Sequence, residues 1–376
     1  MIPFNRPAVT GKEAGYINDV IKKNKFAGDG DFTHLCNRWL EERFHCRRAL
    51  LTTSCTHALE ICAILARIRE GDEVIMPSFT FTSTANSFVM RGARLVFVDV
   101  RPDTMNMDEE CVKSAVSEKT RAIVPVHYGG VVCEMDAIAG AAEGGNIHII
   151  EDAAQAILST YKGRSAGTIG DLGTFSFHET KNIQCGEGGA ILVNREDYVE
   201  SAEVIREKGT NRAKFFRGEI DKYGWVDLGS SYLPSELNAA FLYAQLENAE
   251  NIIADRMNTW NIYHEAFRDL ENEGRLTRPF VPNECVHNAH LYYIKVADLD
   301  ERTALIDFLK SNGVYAVFHY IPLHSSIAGR KFGYFHGEDV WTTKESERLL
   351  RLPLWFGMKQ DEVLHVIDMV KGFFTR

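Results

Sequence analysis

The chain lacks the sequence signals of several large classes of protein. No stretch reaches the roughly 20 consecutive apolar residues of a membrane-spanning helix, and the first residues show no basic region followed by an apolar one, as in a secretory leader. We therefore expect a cytoplasmic protein without a membrane span. Repeats, low-complexity tracts and charge blocks are also missing, and the 376 residues favour about two domains.

Signals for metals, nucleic acids and nicotinamide cofactors are missing as well. The eight cysteines include no CxxC pair, and no histidine cluster completes a zinc pattern, so we expect reduced thiols and no metal site. The net charge of −10 argues against a nucleic-acid partner. No GxGxxG motif follows the first predicted strand, which disfavours a nicotinamide-dependent dehydrogenase.

Short apolar runs alternate with helical patterns over the first two-thirds of the chain. This alternation predicts an α/β fold with a mostly parallel sheet, covered on both faces, whose ligands collect at the carboxyl ends of the strands. We expect a large domain over residues 1–250 and a smaller α+β domain over 251–376. The predicted strands are 50–53, 73–76, 94–99, 122–127, 147–151, 173–177, 190–193 and 291–296, and the predicted helices include 56–67, 235–270 and 302–312.

An acid at the end of one predicted strand and a lysine 29 positions later are the most informative pair of residues. Asp152 follows the apolar run 147–150, where a carboxylate is costly to bury unless it has a partner or caps a helix. Lys181 lies between a strand-like segment and the glycine-rich turn 186–189. A lysine whose pKa can be lowered and a carboxylate opposite a pyridine nitrogen are the two groups that pyridoxal phosphate (PLP) requires. The order of these residues therefore favours PLP chemistry.

Two turns upstream offer further cofactor contacts. Residues 53–56 connect a predicted strand to a helix whose free N–H groups suit a phosphate, although an ordinary helix cap has the same sequence. The aromatic and hydroxyl-rich loop 77–84 either stacks a ring on the cofactor or fills the core.

Two other clusters of side chains allow more than one interpretation. His319 and His324 lie five residues apart, which is compatible with a metal site, but no third ligand is evident, and a polar wall of a substrate pocket is the better interpretation. Arg212 belongs to a basic stretch over 208–222 that either meets a nucleotide diphosphate or is a solvated face. We expect substrate contacts from Tyr320, His324 and Arg212.

Together, these stretches resemble the PLP-dependent nucleotide-sugar aminotransferases of the DegT/DnrJ/EryC1/StrS type, and the resemblance covers essentially the whole chain. It implies the fold type I architecture of the aspartate aminotransferases, PLP as the cofactor, and a homodimer with the active site shared between subunits. The stretches that carry it are 54–56, 77–81, 125–127, 151–155, 176–181 and 186–189.

The resemblance also implies a role for each matching residue. Lys181 would form the imine with the cofactor and shuttle the proton, while Asp152 would pair with the pyridine nitrogen. The chain departs from the usual family pattern by a cysteine in place of glycine at position 55 and a serine in place of asparagine at 231, and the Cβ of Cys55 requires that this residue avoid positive φ. The other implied cofactor contacts are Gln155 to the ring hydroxyl, Phe81 stacked on the ring, Ser54, Cys55, Thr56 and Ser176 around the phosphate, and Ser231 reaching the phosphate of the partner subunit.

A narrower likeness over residues 101–106, 206–212, 229–233 and 318–324 is to the branch of this family that serves enterobacterial common antigen synthesis. It implies transfer of an amino group from L-glutamate, leaving 2-oxoglutarate, to C4 of dTDP-4-keto-6-deoxyglucose. The product would be dTDP-4-amino-4,6-dideoxy-D-galactose. Amination at C3, the opposite configuration at C4, or a PLP-binding sensor without turnover are the alternatives. The dehydratase branch is disfavoured because it replaces the lysine that this chain keeps as Lys181.

Overall fold

The computed structural model describes residues 1–375. Its strands are β1 Arg48–Thr52, β2 Glu73–Pro77, β3 Arg94–Val98, β4 Thr120–Ile123, β5 His148–Asp152, β6 Thr160–Tyr161, β7 Arg164–Ser165, β8 Leu172–Ser176, β9 Gly189–Val193, β10 Cys285–Val286, β11 Tyr292–Lys295, β12 Val317–Phe318, β13 Gly333–Phe335 and β14 Leu349–Leu352. Its helices are α1 Glu13–Lys23, α2 Asp31–Phe44, α3 Cys55–Leu65, α4 Thr82–Val89, α5 Glu109–Ala115, α6 Met135–Ala142, α7 Val199–Arg206, α8 Arg212–Phe216, α9 Glu236–Leu246, α10 Ala249–Ala266, α11 Arg268–Asn272, α12 Leu299–Ser311, α13 Ile327–Phe332, α14 Thr342–Arg348 and α15 Gln360–Phe374.

An eight-stranded sheet forms the centre, in the order β1-β9-β8-β5-β4-β2-β3-β13. Strand β9 is antiparallel to both of its neighbours, and every other neighbouring pair is parallel. The predicted α/β fold with a mostly parallel sheet is therefore confirmed. Along β2, Ile75 packs into one apolar core while Val74 and Met76 pack into another, because successive side chains of a strand point to opposite faces.

A third apolar core lies in the C-terminal third of the chain. It packs α10, α12 and α15 against the antiparallel three-stranded sheet β11-β14-β12, with Trp260, Tyr292 and Val366 among its buried side chains. This is the α+β composition expected beyond residue 250, and the boundary at that position stays a prediction. None of the helices within residues 1–375 combines the length and apolar character that a bilayer crossing demands.

Three elements differ from the sequence prediction. The single helix expected over 235–270 is three helices, because the backbone leaves the helical conformation at Asn248 (φ −110°, ψ 10°) and again at Phe267 (φ −97°, ψ 5°). The strand expected over 122–127 ends at Ile123, close to Pro125, which has no N–H to donate. The short strand β13 was not predicted, and it extends the sheet beyond β3 from a point more than 230 residues later in the sequence.

Candidate active site

A cavity of about 650 Å³ opens at the carboxyl edge of the central sheet. Strands β1, β2, β5 and β8 run in the same direction, so the turns that follow them meet there. The C-terminal third closes the other side. The lining includes Ser54, Cys55, Thr56, Thr80, Phe81, Thr84, Asp152, Gln155, Ser176, Lys181, His290, His319, Tyr320 and Arg351.

Asp152 is the last residue of β5 and is buried beside the cavity. Its Oδ2 accepts a hydrogen bond from the Thr84 hydroxyl (2.7 Å), and its Oδ1 accepts one from the Ala154 N–H (3.1 Å). Thr84 in turn lies 2.9 Å from the Thr80 hydroxyl. Two donors thus hold the carboxylate in one orientation at the floor of the cavity, and each oxygen retains a lone pair for a ligand.

Lys181 lies in the loop between β8 and β9, and its amine faces the same cavity as Asp152. Burial lowers the pKa of Lys181, because a desolvated ammonium loses the water that stabilises its charge, and the nearby Asp152 opposes that shift only in part. A larger fraction of the amine is therefore neutral and nucleophilic than in an exposed lysine. The sequence prediction that the acid and this lysine share one site agrees with their positions.

The β1–α3 turn supplies backbone donors. Ser54 is the N-cap of α3 and accepts from the His57 N–H (3.1 Å). Ser54, Cys55 and Thr56 line the cavity, which places the positive end of the helix dipole there. Cys55 begins α3 and is not among the residues with positive φ, as its Cβ requires. Gly189 of β9 packs against the backbone of Ser54 and Cys55, where a Cβ would collide. Ser176, at the end of β8, also lines the cavity.

The two interpretations of the aromatic loop after β2 apply to two different residues. Phe79 is buried and packs edge-on against Tyr128 and Tyr320, so it fills the core. Phe81 has 57% of its surface exposed and lines the cavity. It is available to stack on a ring bound there.

Gln155 and Tyr320 form one wall. The side-chain oxygen of Gln155 accepts from the Gly129 N–H (2.7 Å), and its amide nitrogen donates to the Tyr320 hydroxyl (2.8 Å). The Tyr320 ring stacks on His319, with 3.7 Å between ring centroids. Gln155 is thereby held in a fixed orientation at the edge of the cavity, and Tyr320 presents its ring and its remaining hydroxyl lone pair to a ligand.

The two histidines of the 318–324 segment have different surroundings. His319 lines the cavity, and its Nδ1 lies 2.7 Å from the Tyr128 hydroxyl. His324 is outside the cavity lining and lies between the Ser78 hydroxyl (2.7 Å) and the Asp339 carboxylate (3.2 Å). The structure thus brings His319 to the site and gives His324 a role in joining the C-terminal third to the loop after β2. Within residues 1–375 no three His, Cys, Asp or Glu side chains group as metal ligands.

Arg212 and Ser231 lie away from the cavity of their own protomer. Arg212 opens α8 and pairs with Glu207 (3.0 Å), and Lys214 and Arg217 of the same basic stretch also pair with acids. Ser231 is exposed. Contacts from these two residues to a cofactor or substrate therefore need a second subunit, and they stay predictions.

His290 and Arg351 line the cavity although no sequence pattern had singled them out, and Thr84 lines it without having been named individually. Thr84 lies in the hydroxyl-rich loop 77–84, so the sequence could have predicted its place in the cavity wall. His290 precedes β11, and Arg351 is one residue of β14. Both come to the site only because the C-terminal third packs against the central sheet, which is a long-range contact without a local signal.

Comparison with known proteins places these features in a family. The sequence model of the DegT/DnrJ/EryC1/StrS aminotransferase family matches residues 7–371. The spore coat polysaccharide biosynthesis protein SpsC of Bacillus subtilis is 31% identical over 383 residues, which cover 99% of this chain and 97% of SpsC. The aminotransferase TlmJ from Streptoalloteichus hindustanus superimposes with a TM-score of 0.91 at 27% identity, covering 100% of this chain and 99% of TlmJ. Spr1654 from Streptococcus pneumoniae, assigned as a sugar aminotransferase, matches in its PLP form with a TM-score of 0.88 at 26% identity, covering 99% and 98% of the two chains.

Proposed function

The chain belongs to the DegT/DnrJ/EryC1/StrS aminotransferase family, and on this premise we propose that it moves an amino group from L-glutamate to C4 of dTDP-4-keto-6-deoxy-D-glucose. The products would be 2-oxoglutarate and dTDP-4-amino-4,6-dideoxy-D-galactose, a building block for cell-surface polysaccharide. The family, the sugar aminotransferase class and PLP as cofactor are the premises. The nucleotide, the carbon that is aminated and the amino donor belong to the proposal.

The residues at the cavity fit PLP. When bound, PLP supplies an electron sink for the carbon that gains or loses the amino group. The amine of Lys181 is desolvated, as an imine-forming lysine must be. The carboxylate of Asp152 has a lone pair free to hold the proton of a ring nitrogen. The N-terminus of α3, with Ser176 beside it, would hold the phosphate.

The observation that carries the reaction assignment is the pairing of Lys181 and Asp152 in one cavity. Lys181 would move the proton between the carbon atoms that exchange the amino group, because its neutral form can accept a proton and its charged form can return it. Asp152 would keep the ring nitrogen protonated. Phe81 would cover one face of the ring and limit the access of water.

The remaining wall suits a sugar. Tyr320, His319 and Ser83 supply hydroxyl and imidazole groups, which hydrogen-bond hydroxyls without demanding a charge on the ligand. A cavity of about 650 Å³ has room for a cofactor and part of a nucleotide sugar. The similarity to SpsC, a spore coat polysaccharide biosynthesis protein, and to Spr1654, assigned as a sugar aminotransferase, supports the same substrate class.

We further propose a homodimer with a shared site, located in the cytoplasm. The segment around α8 exposes large apolar side chains, with 83% of the surface of Trp225, 67% of Phe216 and 50% of Tyr223 open to solvent. Several exposed large apolar side chains in one segment are typical of a protein–protein interface. Ser231 and Arg212 flank it, so a second copy of the chain seated there would carry them toward the other cavity.

The test is incubation of the PLP-loaded protein with dTDP-4-keto-6-deoxyglucose and L-glutamate, followed by NMR of the product. We expect an amino group at C4 with the galacto configuration. Amination at C3 would overturn the proposed regiochemistry, and the gluco configuration at C4 would overturn the proposed stereochemistry. Release of 2-oxoglutarate without any aminated sugar would show that L-glutamate is the amino donor and that dTDP-4-keto-6-deoxyglucose is not the acceptor. The Lys181→Ala variant is the matched control for non-enzymatic amination.

A further inference from the structure

The ring of His290 lines the cavity, and its hydrogen-bond partner determines which ring nitrogen carries the proton. Asn182 is buried, and its Nδ2 donates to the Asn288 carbonyl (2.8 Å), so the atom that lies 3.0 Å from the His290 Nδ1 is the Asn182 Oδ1. An amide oxygen can only accept, so Nδ1 carries the proton. Burial keeps the pKa of His290 well below the ordinary value, and the ring is therefore neutral. Its other nitrogen, Nε2, is an acceptor with a lone pair.

The backbone on either side of His290 is fixed by three buried contacts. Arg256 of α10 donates to the carbonyls of Ala289 (3.1 Å) and His290 (2.6 Å), and the side chain of Asn288 donates to the Gln155 carbonyl (2.9 Å). Ala289 has a φ of 48°, a conformation that costs free energy for a residue with a Cβ and persists only where the surrounding contacts enforce it. The imidazole is thus held at one place in the cavity wall.

The free nitrogen of His290 and the amine of Lys181 share this part of the cavity. Asn182, which holds the imidazole, is the next residue in the chain after Lys181. After burial, the positive charge of Lys181 is the largest cause of the lowered pKa of His290. Within residues 1–375, neither the Nε2 of His290 nor the Nζ of Lys181 has a hydrogen-bond partner. A donor and an acceptor without partners therefore lie in the same space.

The other charged and titratable groups around this pair leave Nε2 as a suitable acceptor for the amine. Asp152 and the Cys55 thiol face Lys181, Arg256 faces His290, and Arg351 faces both side chains. The Asp152 carboxylate is held by other donors and is the expected partner of the cofactor ring. The thiol of Cys55 is a weak acceptor, and the two arginines are donors only.

We infer that His290 is a positioning residue, whose Nε2 accepts a hydrogen bond from the charged amine of Lys181 once that amine has taken up a proton from the substrate. The inference rests on the proton-carrying role of Lys181 in the proposed function. The four-carbon stem of a lysine is flexible, so the released amine can turn to a fixed acceptor. The bond would keep the proton at a defined place until it is returned to the other carbon atom.

The experiment compares wild type with His290→Asn and His290→Gln. The amide nitrogen of asparagine replaces Nδ1 and keeps the bond to Asn182, but it leaves no acceptor at the place of Nε2. The longer glutamine puts its amide oxygen at the place of Nε2 and gives up the bond to Asn182. Acylation of the cofactor-free protein with acetic anhydride over a series of pH values, followed by peptide mass spectrometry, gives the pH midpoint of Lys181. We expect His290→Asn to lower this midpoint by about one pH unit, because the charged amine loses an acceptor, and His290→Gln to leave it in place.

Rate and stability should respond in opposite order in the two variants. Stopped-flow absorbance of the PLP-loaded proteins at saturating L-glutamate should show a rate about 10-fold lower for His290→Asn, because the amine is no longer directed, and a rate close to wild type for His290→Gln. The free energy of unfolding in urea should fall only in His290→Gln, which leaves the Asn182 oxygen without a donor. A purely structural role of His290 would make the rate follow the stability.

The matched control is His148→Asn. His148 also has one ring nitrogen close to a hydroxyl, that of Tyr198 at 3.2 Å, but it lies at the opposite end of β5 from Asp152. This variant should leave the midpoint and the rate unchanged.

An unchanged midpoint in His290→Asn, or an equal shift in both His290 variants, would overturn the inference. So would a rise confined to the KM of the ketosugar, since it would assign Nε2 to a sugar hydroxyl. If His290→Asn does not fold, a crystal structure of cofactor-free wild type at about pH 6 decides: a distance between Nζ and Nε2 within about 3.2 Å supports the inference, and a longer one overturns it. The acylation needs neither donor nor sugar, so an error in the proposed substrates would not affect this result.

Discussion

Replacing Asp152 by asparagine tests the acid at the base of the cavity. The substitution preserves shape and changes only what the side chain can accept. One asparagine oxygen can accept the Ala154 N–H, and the new amide NH2 then faces the Thr84 hydroxyl, which can accept from it because the hydroxyl can rotate. Folding should therefore be largely preserved. A bound pyridine ring, however, would meet an N–H donor in place of an anion, and its nitrogen would lose its proton.

The expected magnitude follows from the burial of Asp152. Removing one partner of a buried ion pair costs about 3–5 kcal/mol, and if that whole loss falls on the transition state, the rate decreases by about 10²- to 10⁴-fold. Stopped-flow absorbance of the half-reaction with L-glutamate measures this rate directly, and the PLP spectrum reports whether the cofactor is bound. Asp136→Asn is the control, because Asp136 is half-exposed and pairs with Lys162 at the surface. A cofactor-bound Asp152→Asn protein with an unchanged rate would refute the reasoning.

Three further predictions concern other parts of the molecule. Lys181→Ala should prevent reductive labelling of the chain by borohydride in the presence of PLP and abolish turnover; mass spectrometry checks the label, and labelling elsewhere would contradict the assignment. Gly189→Ala places a Cβ against the backbone of the β1–α3 turn, so the Kd of PLP should rise and the free energy of unfolding should fall by about 1–3 kcal/mol, both measured by titration. Burial lowers the pKa of His287 to about 4. Between this value and the ordinary histidine pKa, His287 is protonated in the unfolded chain but neutral in the folded chain. The free energy of unfolding therefore decreases as the pH falls from neutral. Between pH 7 and pH 5 this group should reduce the free energy of unfolding by about 2 kcal/mol, and urea denaturation of His287→Gln should lack that part of the pH dependence.

The sequence was sufficient to predict those site residues whose positions depend only on their neighbours in the chain. Asp152 follows the largely apolar run 147–150, and Lys181 precedes a glycine-rich turn, so both could be placed at the sheet edge before any tertiary contact was known. The Ser54 cap of α3 was predicted for the same reason, because capping chemistry is a property of a few consecutive residues.

The parts that were missed depend on packing between distant segments. Arg351 and His290 lie in or beside ordinary strands, and only the docking of the C-terminal third turns them toward the cavity. The break at Asn248 within a continuous helical pattern was missed because local propensity is weak compared with tertiary packing, in which α9 and the first turn of α10 share one core and the later turns of α10 pack into another. The partner contacts expected from Arg212 and Ser231 stay predictions, since a single subunit does not test them.

The three-residue strand β13 has a consequence for any attempt to divide the protein. It hydrogen-bonds along β3 from Gly333 to Phe335, and Gly333 lies against the Leu95 carbonyl where a Cβ would not fit. In a fragment truncated near residue 250, the edge of β3 would have unpaired amide and carbonyl groups. Such an edge strand can pair with a strand of another molecule. The N-terminal fragment, expressed alone, should therefore aggregate through the exposed edge of β3. In the intact protein, β13 covers that edge.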